Sequence, residues 1–202
     1  MKTLLNIRTS LFGAESASAR LAERFVANWR ARNPGGGVIT RDLSPGRIPQ
    51  LTALRYQAFA VREEDRTPAQ REDVALSDEL VAELIDADEI VLAAPMYNFS
   101  VPATLRDYFD HVARSGVTFR YTPEGPEGLL KGKKAYVFIT RGGRYTGNTD
   151  TQRPYLEQFL GFVGLTDVEF VLAEGLAYGD DARSQSLAHA EASIDALTKA
   201  AA

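Results

Sequence analysis

The sequence contains no cysteine among its 202 residues. Without thiols the chain cannot form disulfides, iron–sulfur clusters or thiolate zinc sites, and it cannot use a cysteine nucleophile. Its two histidines, His111 and His189, are far apart and lack the spacing of metal ligands. We therefore expect no metal site. A chain without cysteine suits the reducing cytoplasm, which is the expected localisation.

Long hydrophobic runs and an excess of basic charge are also missing. No window approaches the roughly 20 apolar residues of a membrane span, and the N-terminus turns polar at Asn6 and Arg8, unlike a signal peptide. The chain has 23 basic and 27 acidic residues, a net charge of −4, whereas nucleic-acid binding requires a basic face. We expect neither a membrane nor a nucleic-acid partner.

Short apolar segments alternate with helical patterns along the whole chain. Five segments rich in β-branched residues predict parallel strands that are covered on both faces. The length and the hydrophobic content of 45% suit one domain, residues 1–202, with a full core. The predicted strands lie at residues 4–7, 38–39, 89–93, 135–139 and 168–172.

Helices are predicted between these strands. Ala17, Leu21, Phe25 and Trp29 recur every four residues and form one apolar stripe of the first helix. This alternation predicts a doubly wound α/β fold, and the length favours the flavodoxin-like five-stranded parallel sheet of order 2-1-3-4-5. Four further helices are predicted to begin at Thr67-Pro68, at Pro102, at Asp150 or Thr151, and near Asp181.

Three unusual loops follow the first, third and fourth predicted strands. Ligands of such sheets bind outside the carboxyl ends of the strands, where the strand order reverses. The first loop carries Ser10, Ser16 and Ser18 around a helix N-terminus, which attracts a phosphate group. Ser16 could alternatively only cap the helix, and Glu15 is expected to point away from an anion. No Gly-x-Gly-x-x-Gly sequence is present, which disfavours a tightly bound dinucleotide.

The second and third loops have features that suit a flat ring. Residues 95–102 place aromatic and amide side chains between two prolines, and a ring needs apolar contacts with a few polar groups; a loop packed under the core is the alternative. In residues 140–143, Gly142 and Gly143 permit close backbone approach or positive φ, and a plain tight turn is the alternative. The shared sheet edge favours one ligand site formed by all three loops.

Several further motifs, added to these loops, resemble the bacterial FMN-dependent NADH-azoreductase and quinone reductase family. The resemblance covers nearly the whole chain, from the serine loop to Gly179. It implies that FMN carries the chemistry, so no catalytic side chain is expected. The motifs that carry it lie at residues 95–99, 107–110, 116–122, 125–129, 141–143, 159–164 and 173–175.

The resemblance also implies roles for individual residues. Asn98, Phe99, Tyr121 and Phe162 would line the substrate pocket, although Tyr121 could also be a core residue. Ala17 stands where a polar residue is common in the family, so it would act only through its backbone N–H. The implied FMN contacts are Ser10, Ser16, Ala17 and Ser18 for the phosphate, Met96, Tyr97, Asn98 and Phe99 for the isoalloxazine, and Thr140, Arg141, Gly142 and Gly143 for the pyrimidine edge.

The function that the resemblance implies is a ping-pong reduction of azo compounds and quinones by NADH or NADPH. A homodimer with the flavin pocket at the subunit interface is also implied. Residues 44–66 are interpreted either as a helical excursion near the pocket or as a subunit contact. The choice of donor stays open, with Arg141 and Arg144 as surface candidates for a ribose phosphate. The alternative function is that of a flavodoxin-type electron carrier, which does not turn over substrate.

Overall fold

A computed structural model describes residues 1–43 and 45–200. Position 44, at the start of the segment 44–66, and the last two residues of the predicted domain lie outside the described residues. The strands are β1 (Thr3–Arg8), β2 (Gly37–Asp42), β3 (Glu89–Pro95), β4 (Phe119–Thr122), β5 (Gly125–Gly128), β6 (Lys134–Thr140) and β7 (Asp167–Ala173). The helices are α1 (Ala17–Arg32), α2 (Ala53–Ala60), α3 (Pro68–Asp86), α4 (Ala103–Val112), α5 (Gln152–Val163) and α6 (Asp180–Ala200).

Five parallel strands form the central sheet, in the order β2-β1-β3-β6-β7. This confirms the predicted order 2-1-3-4-5, because the two strands of a hairpin fall between the third and fourth strands of the main sheet. All five predicted strands are present. The order reverses between β1 and β3, so the loops after these strands flank the position where ligands bind in such sheets.

Helices cover both faces of the sheet. On one face α1 packs beside α6, with Leu21, Phe25 and Trp29 fully or almost fully buried against β3 and β6. On the other face α3, α4 and α5 bury a second apolar cluster that includes Tyr108 and Phe109. The apolar stripe predicted for the first helix therefore faces the sheet from Leu21 onward. Within the described residues, no helix has both the length and the apolar character to cross a membrane.

The helix starts agree with the capping signals in the sequence. Thr67 accepts the N–H of Gln70 and Gln70 accepts the N–H of Thr67, a capping box that places Pro68 at the first helical position. The carboxylate of Asp150 accepts the N–H groups of Gln152 and Arg153 at the start of α5. The last helix begins one residue before the predicted Asp181.

A β-hairpin and a short helix complete the fold. The strands β4 and β5 were not expected, and they pack as an antiparallel pair against the end of α5. The helix α2 lies within residues 44–66 and packs on α3, which confirms the helical part of that interpretation. His111 is fully buried, with its Nε2 2.9 Å from the carbonyl oxygen of Pro49, so it holds the segment that leads into α2.

We predict that Gly128→Ala destabilises the protein by detaching the hairpin from α5. A Cβ at position 128 would lie 2.1 Å from the backbone nitrogen of Gly164, and backbone atoms cannot rotate away. We expect a loss of about 2–3 kcal/mol in the free energy of unfolding, measured with urea.

Gly161→Ala is the matched control, since no heavy atom lies within 4 Å of its added Cβ and the residue lies inside α5. This variant should be neutral or more stable by about 0.5–1 kcal/mol, from helix propensity. Equal stability of Gly128→Ala and the unmodified chain would show that the hairpin does not depend on this contact.

Candidate functional site

The serine loop (residues 9–18) and the aromatic loop (residues 95–102) are joined by the hydroxyl of Tyr97. This hydroxyl lies 3.1 Å from Ser10 Oγ and accepts the N–H of Leu11 at 3.3 Å. A second link is the hydroxyl of Thr9, which donates to the carbonyl oxygen of Ala93 at 2.8 Å. The loops after β1 and β3 therefore form one surface.

The aromatic loop is also joined to residues 140–143, the glycine turn. The N–H of Met96 donates to the carbonyl oxygen of Thr140 at 2.9 Å, which continues the β3–β6 pairing beyond the sheet. Gln152, fully buried at the start of α5, donates to the carbonyl oxygens of Ala94 and Pro95. The three loops predicted to converge do converge at one edge of the sheet.

The serine loop presents the N-terminus of α1. Ser16 is the N-cap, since its Oγ accepts the N–H of Ala19, and it also donates to the carbonyl oxygen of Gly13. Ser16 therefore caps the helix, and this is compatible with anion binding because the N–H group of Ala17, which is partly exposed, remains at the helix end, whereas Ser18 is fully buried. The hydroxyl of Ser18 is buried 3.4 Å from that of Ser16. Glu15 is exposed, and the Ser18 contact to a phosphate stays a prediction.

Two consecutive residues of the aromatic loop adopt positive φ. Asn98 has φ of 49° and Phe99 has φ of 65°, a conformation that is uncommon outside glycine and unfavourable for a bulky side chain. Tyr97 and Ser100 exchange backbone hydrogen bonds across them, so the four residues form a tight turn of the type I′ class. The hydroxyl of Thr151 donates to the carbonyl oxygen of Phe99 and holds the turn in place.

The consequence of this strained turn is an exposed aromatic ring. The side chain of Phe99 is 63% exposed and meets the ring of Tyr145 edge to face, with 6.0 Å between centroids. Phe99 and Tyr145 line a cavity of about 430 Å³. Strain of this kind is common at ligand sites, where the surrounding structure enforces it. The other residues that line the cavity are Arg144, Asn148, Thr149 and Thr151.

The carbonyl groups of the glycine turn accept hydrogen bonds from the segment that follows β7. The carbonyl oxygens of Gly142 and Gly143 accept the N–H groups of Ala177 and Gly175 at 3.0 and 2.9 Å. The polar groups that the turn can offer a ligand are therefore its N–H groups. Neither glycine has positive φ, so close backbone approach, rather than special φ, is the property that these glycines can supply.

The expectation that Arg141 is a surface residue is wrong. Its side chain has no exposed area, and its guanidinium donates to Asp150 at 2.8 Å, to Glu174 at 3.1 Å and to Gln152 at 3.3 Å. Its backbone N–H is bound to the carbonyl oxygen of Ala173. Arg141 is therefore buried because its partners lie in other segments of the chain. Its guanidinium links the end of β7 to the start of α5, beneath the glycine turn.

The structure does not bring Tyr121 and Phe162 to the three loops of the same chain. Phe162 lies about 15 Å along α5 from Gln152, at the opposite end of the helix. Tyr121 is on β4 and 74% exposed, so it is not a core residue, and the ring of Phe119 contacts the rings of both Tyr121 and Phe162. Phe162 lines a groove of about 560 Å³, together with Pro126, Tyr155, Gln158, Phe159 and Gly161.

The residues near the site whose pKa values are shifted lie on the helices α4 and α5, behind the loops. Partial burial raises the pKa of Asp110 on α4, and the negative charge of Asp107 raises it further. Burial also raises the pKa of Tyr155, whose ring lies 5.3 Å from the guanidinium carbon of Arg106. These shifts follow from helix packing, and they do not indicate an acid–base pair within the loops.

Sequence reasoning missed Tyr145, Gln152 and the segment 174–178. Tyr145 follows the glycine pair closely, and its position could have indicated a cavity wall. Gln152 gave no signal, because only the fold shows that its amide reaches the carbonyl groups at the end of β3. Of the segment 174–178, only residues 174 and 175 belong to the resemblance, and the contacts of the segment with the glycine turn depend on the β6–β7 pairing.

Comparison with known proteins identifies the class. A family model described as a flavodoxin-like fold matches residues 1–197. The chain is 48% identical over 196 residues to an FMN-dependent NADH:quinone oxidoreductase of Cellvibrio japonicus, covering 96% of this chain and 98% of that protein. It is 47% identical to the protein of the same name from Escherichia coli K12, covering 99% of this chain and 100% of that protein.

A solved structure agrees with these relatives. An azoreductase from Bacillus anthracis str. Sterne superposes with a TM-score of 0.89 at 28% identity, covering 98% of this chain and 99% of that chain. The protein thus belongs to the flavodoxin-like fold family, in the branch that contains the FMN-dependent NADH:quinone oxidoreductases and azoreductases. The resemblance found in the sequence is confirmed.

We predict that Arg141→Met destabilises the protein far more than the loss of an exposed ion pair. The substitution leaves Asp150 and Glu174 without their buried cation. These carboxylates keep some exposure, 14% and 24% of their side chains, so we expect a loss of about 2–3 kcal/mol in the free energy of unfolding, below the usual range for a fully buried pair.

The control is Arg153→Met, which breaks an exposed pair with Glu157 and should cost at most about 0.5 kcal/mol. Hydrogen exchange at the start of α5 should also become faster in Arg141→Met and not in the control. Equal losses in the two variants would contradict the role given to Arg141.

Proposed function

We propose that the protein is an FMN-dependent NAD(P)H oxidoreductase that reduces quinones and azo compounds. The observation that carries this proposal is the convergence of the three loops, joined by the contact between Tyr97 and Ser10 and by the bond from Met96 to Thr140. Together they offer a helix N-terminus, an exposed aromatic turn and a turn of free N–H groups within one surface. These are the features that a phosphate, a flat ring and its polar edge require.

Each part of the cofactor has matching residues in this arrangement. The end of α1, with Ser10, Ser16 and the N–H group of Ala17, suits the phosphate of FMN, and the buried hydroxyl of Ser18 lies directly behind Ser16. The loop from Met96 to Phe99 suits the isoalloxazine. The N–H groups of Gly142 and Gly143 suit its pyrimidine edge, because the side chain of Arg141 is buried and the N–H of Arg141 and the carbonyl oxygen of Thr140 are bound within the chain. The fit rests on the open helix end and on the exposed ring of Phe99.

The chemistry belongs to the cofactor, which when bound accepts a hydride from the nicotinamide and passes two electrons to the acceptor. The chain holds the ring and shapes the space above it. The N–H groups of Gly142 and Gly143 stabilise negative charge that develops at the pyrimidine edge. Asn98 and Phe99 border the space that the donor and the acceptor occupy in turn. Sharing one space predicts ping-pong kinetics, with one cycle for a quinone and two for complete cleavage of an azo bond.

We also propose that a second copy of the chain completes the pocket. The loops expose three apolar side chains, Leu11 at 55%, Phe12 at 71% and Phe99 at 63%. At the other end of α5, Phe162 lines the groove and is partly exposed, and Tyr121 on the hairpin is exposed, both away from these loops. A homodimer in which the groove of one chain faces the loops of its partner covers both apolar surfaces. Tyr121 and Phe162 would then line the flavin pocket of the partner.

The extent of the domain, the electron donor and the localisation are proposed from the sequence and from the relatives. We propose one domain over residues 1–202, which the family match over residues 1–197 supports. NADH is the proposed donor, as in the names of the curated relatives. A cytoplasmic enzyme without a nucleic-acid or membrane partner is supported by the lack of cysteine and by the net charge of −4.

Steady-state kinetics with NADH and a neutral quinone should distinguish an enzyme from an electron carrier. We expect continuous NADH consumption and parallel lines in double-reciprocal plots at several fixed quinone concentrations, because donor and acceptor use the same space. A carrier of the flavodoxin type would show no sustained turnover. Intersecting lines would instead mean that both substrates bind together, contrary to the ping-pong proposal.

Complementation between inactive variants should test the shared pocket. Ser16→Asp retains a capping side chain but repels a phosphate, whereas the double variant Tyr121→Ser/Phe162→Ala removes the proposed partner walls. Co-expressed chains should regain about a quarter of the wild-type kcat/KM for the quinone, since half of randomly formed dimers are mixed and each has one complete pocket.

Each variant alone should have a low kcat/KM, and circular dichroism should confirm that both fold. If Tyr121 and Phe162 served the flavin of their own chain, mixing would create no complete site. A mixture no more active than the average of its two components would therefore overturn the proposed arrangement.

A further inference from the structure

Arg144 is a fixed, exposed cation immediately after the glycine turn. Its guanidinium carbon lies 5.7 Å from the centre of the Tyr178 ring, and its backbone N–H donates to the Tyr178 hydroxyl at 3.3 Å. The side chain also passes close to Gly175, where an added Cβ would lie 3.1 Å from Nε. The aromatic contact and the tight backbone hold the guanidinium in place without neutralising its charge.

No carboxylate in the described part of the chain lies within ion-pair distance of Arg144. The neighbouring carboxylates are already engaged, because Asp150 and Glu174 bind the buried Arg141 and Glu174 also accepts the N–H of Tyr145. Arg153, an exposed arginine at the start of α5, is by contrast paired with Glu157 at 2.8 Å. The positive charge of Arg144 is therefore not neutralised by a carboxylate in the described part of the chain.

The surroundings of Arg144 indicate what this charge can bind. Arg144 lines the same cavity of about 430 Å³ as Phe99 and Tyr145, a volume in the usual range of small-molecule sites. A ring that packs against Phe99 would direct a substituent toward the guanidinium. The amide of Asn148, also in the lining, provides a further hydrogen-bonding group, whereas the hydroxyl of Thr149 is bound to the backbone of Thr146. The cavity thus combines an aromatic wall with one cationic corner.

We propose that Arg144 is a specificity-determining residue that binds an oxyanion carried by a ring-bearing substrate. The proposal rests on the proposed function, because the cavity borders the loops that are proposed to hold FMN. The oxyanion is a phosphate of the nicotinamide dinucleotide or a sulfonate of an aromatic acceptor, and both offer the same oxygen acceptors to a guanidinium. Arg141 and Arg144 are the candidates that the sequence offers for binding a ribose phosphate. The side chain of Arg141 is buried, so only Arg144 can take this role.

Binding of redox-inert ligands tests the proposal apart from turnover. Isothermal titration calorimetry of the oxidised holoenzyme compares naphthalene-2-sulfonate with the neutral naphthalene-2-sulfonamide. Arg144→Gln should weaken binding of the sulfonate about fivefold, because the site is open to solvent and Glu174 lies in an adjacent segment. Binding of the sulfonamide should not change. Arg144→Lys should retain part of the preference, and Arg153→Gln, with the same change in charge, should leave both affinities unaltered.

Steady-state kinetics of Arg144→Gln, compared with the unmodified enzyme, then identify which substrate carries the oxyanion. A rise in KM for NADPH alone assigns Arg144 to the ribose phosphate, and a rise for both NADH and NADPH assigns it to the diphosphate. A rise for 1,4-naphthoquinone-2-sulfonate, but not for neutral 1,4-naphthoquinone, assigns it to the acceptor. In each case kcat with NADH and neutral 1,4-naphthoquinone should stay within about twofold of the unmodified enzyme.

The proposal is overturned if Arg144→Gln binds naphthalene-2-sulfonate as tightly as the unmodified enzyme, or if it loses affinity equally for the sulfonate and the sulfonamide. Lack of NADH:quinone turnover in the unmodified protein would contradict the proposed function instead. The calorimetric comparison would still decide whether Arg144 binds an oxyanion, so the two failures are distinguishable.

Discussion

The site depends on hydrogen bonds that continue the pairing of β1, β3 and β6 past the end of the sheet. Thr9 reaches the carbonyl of Ala93, Met96 reaches that of Thr140, and the hydroxyl of Tyr97 meets Ser10. Because the strands are parallel, their carboxyl ends share one edge, and these bonds fix the three loops relative to each other. Without them the helix end, the aromatic turn and the glycine turn would be separate features with no common ligand.

Two less favourable local arrangements are maintained around this edge. The positive φ values of Asn98 and Phe99 expose an aromatic ring, and the surrounding loops and α5 hold that turn. The guanidinium of Arg141 is buried, which is tolerated because carboxylates and an amide surround it. Both arrangements serve the same purpose, since each fixes backbone groups where a flat, charged cofactor needs preformed contacts.

Much of the fold was predictable because parallel strands buried on both faces leave uninterrupted apolar segments in the sequence. The hairpin was not, since β5 reads Gly-Pro-Glu-Gly and is held by its close approach to Gly164. The convergence of the loops followed from topology, but the burial of Arg141 did not, because Glu174 is distant in sequence. The position of Tyr121 and Phe162 away from the loops of their own chain likewise depends on tertiary packing, which no local pattern encodes.

The central claim is that these loops hold the phosphate and the ring of FMN together, and comparative titration of the apoprotein with FMN and with riboflavin tests it most directly. Flavin fluorescence should show one FMN bound per chain, with riboflavin bound about a hundredfold more weakly, since it lacks the group that the end of α1 receives. Equal affinities for the two flavins, or no binding of either, would contradict the account.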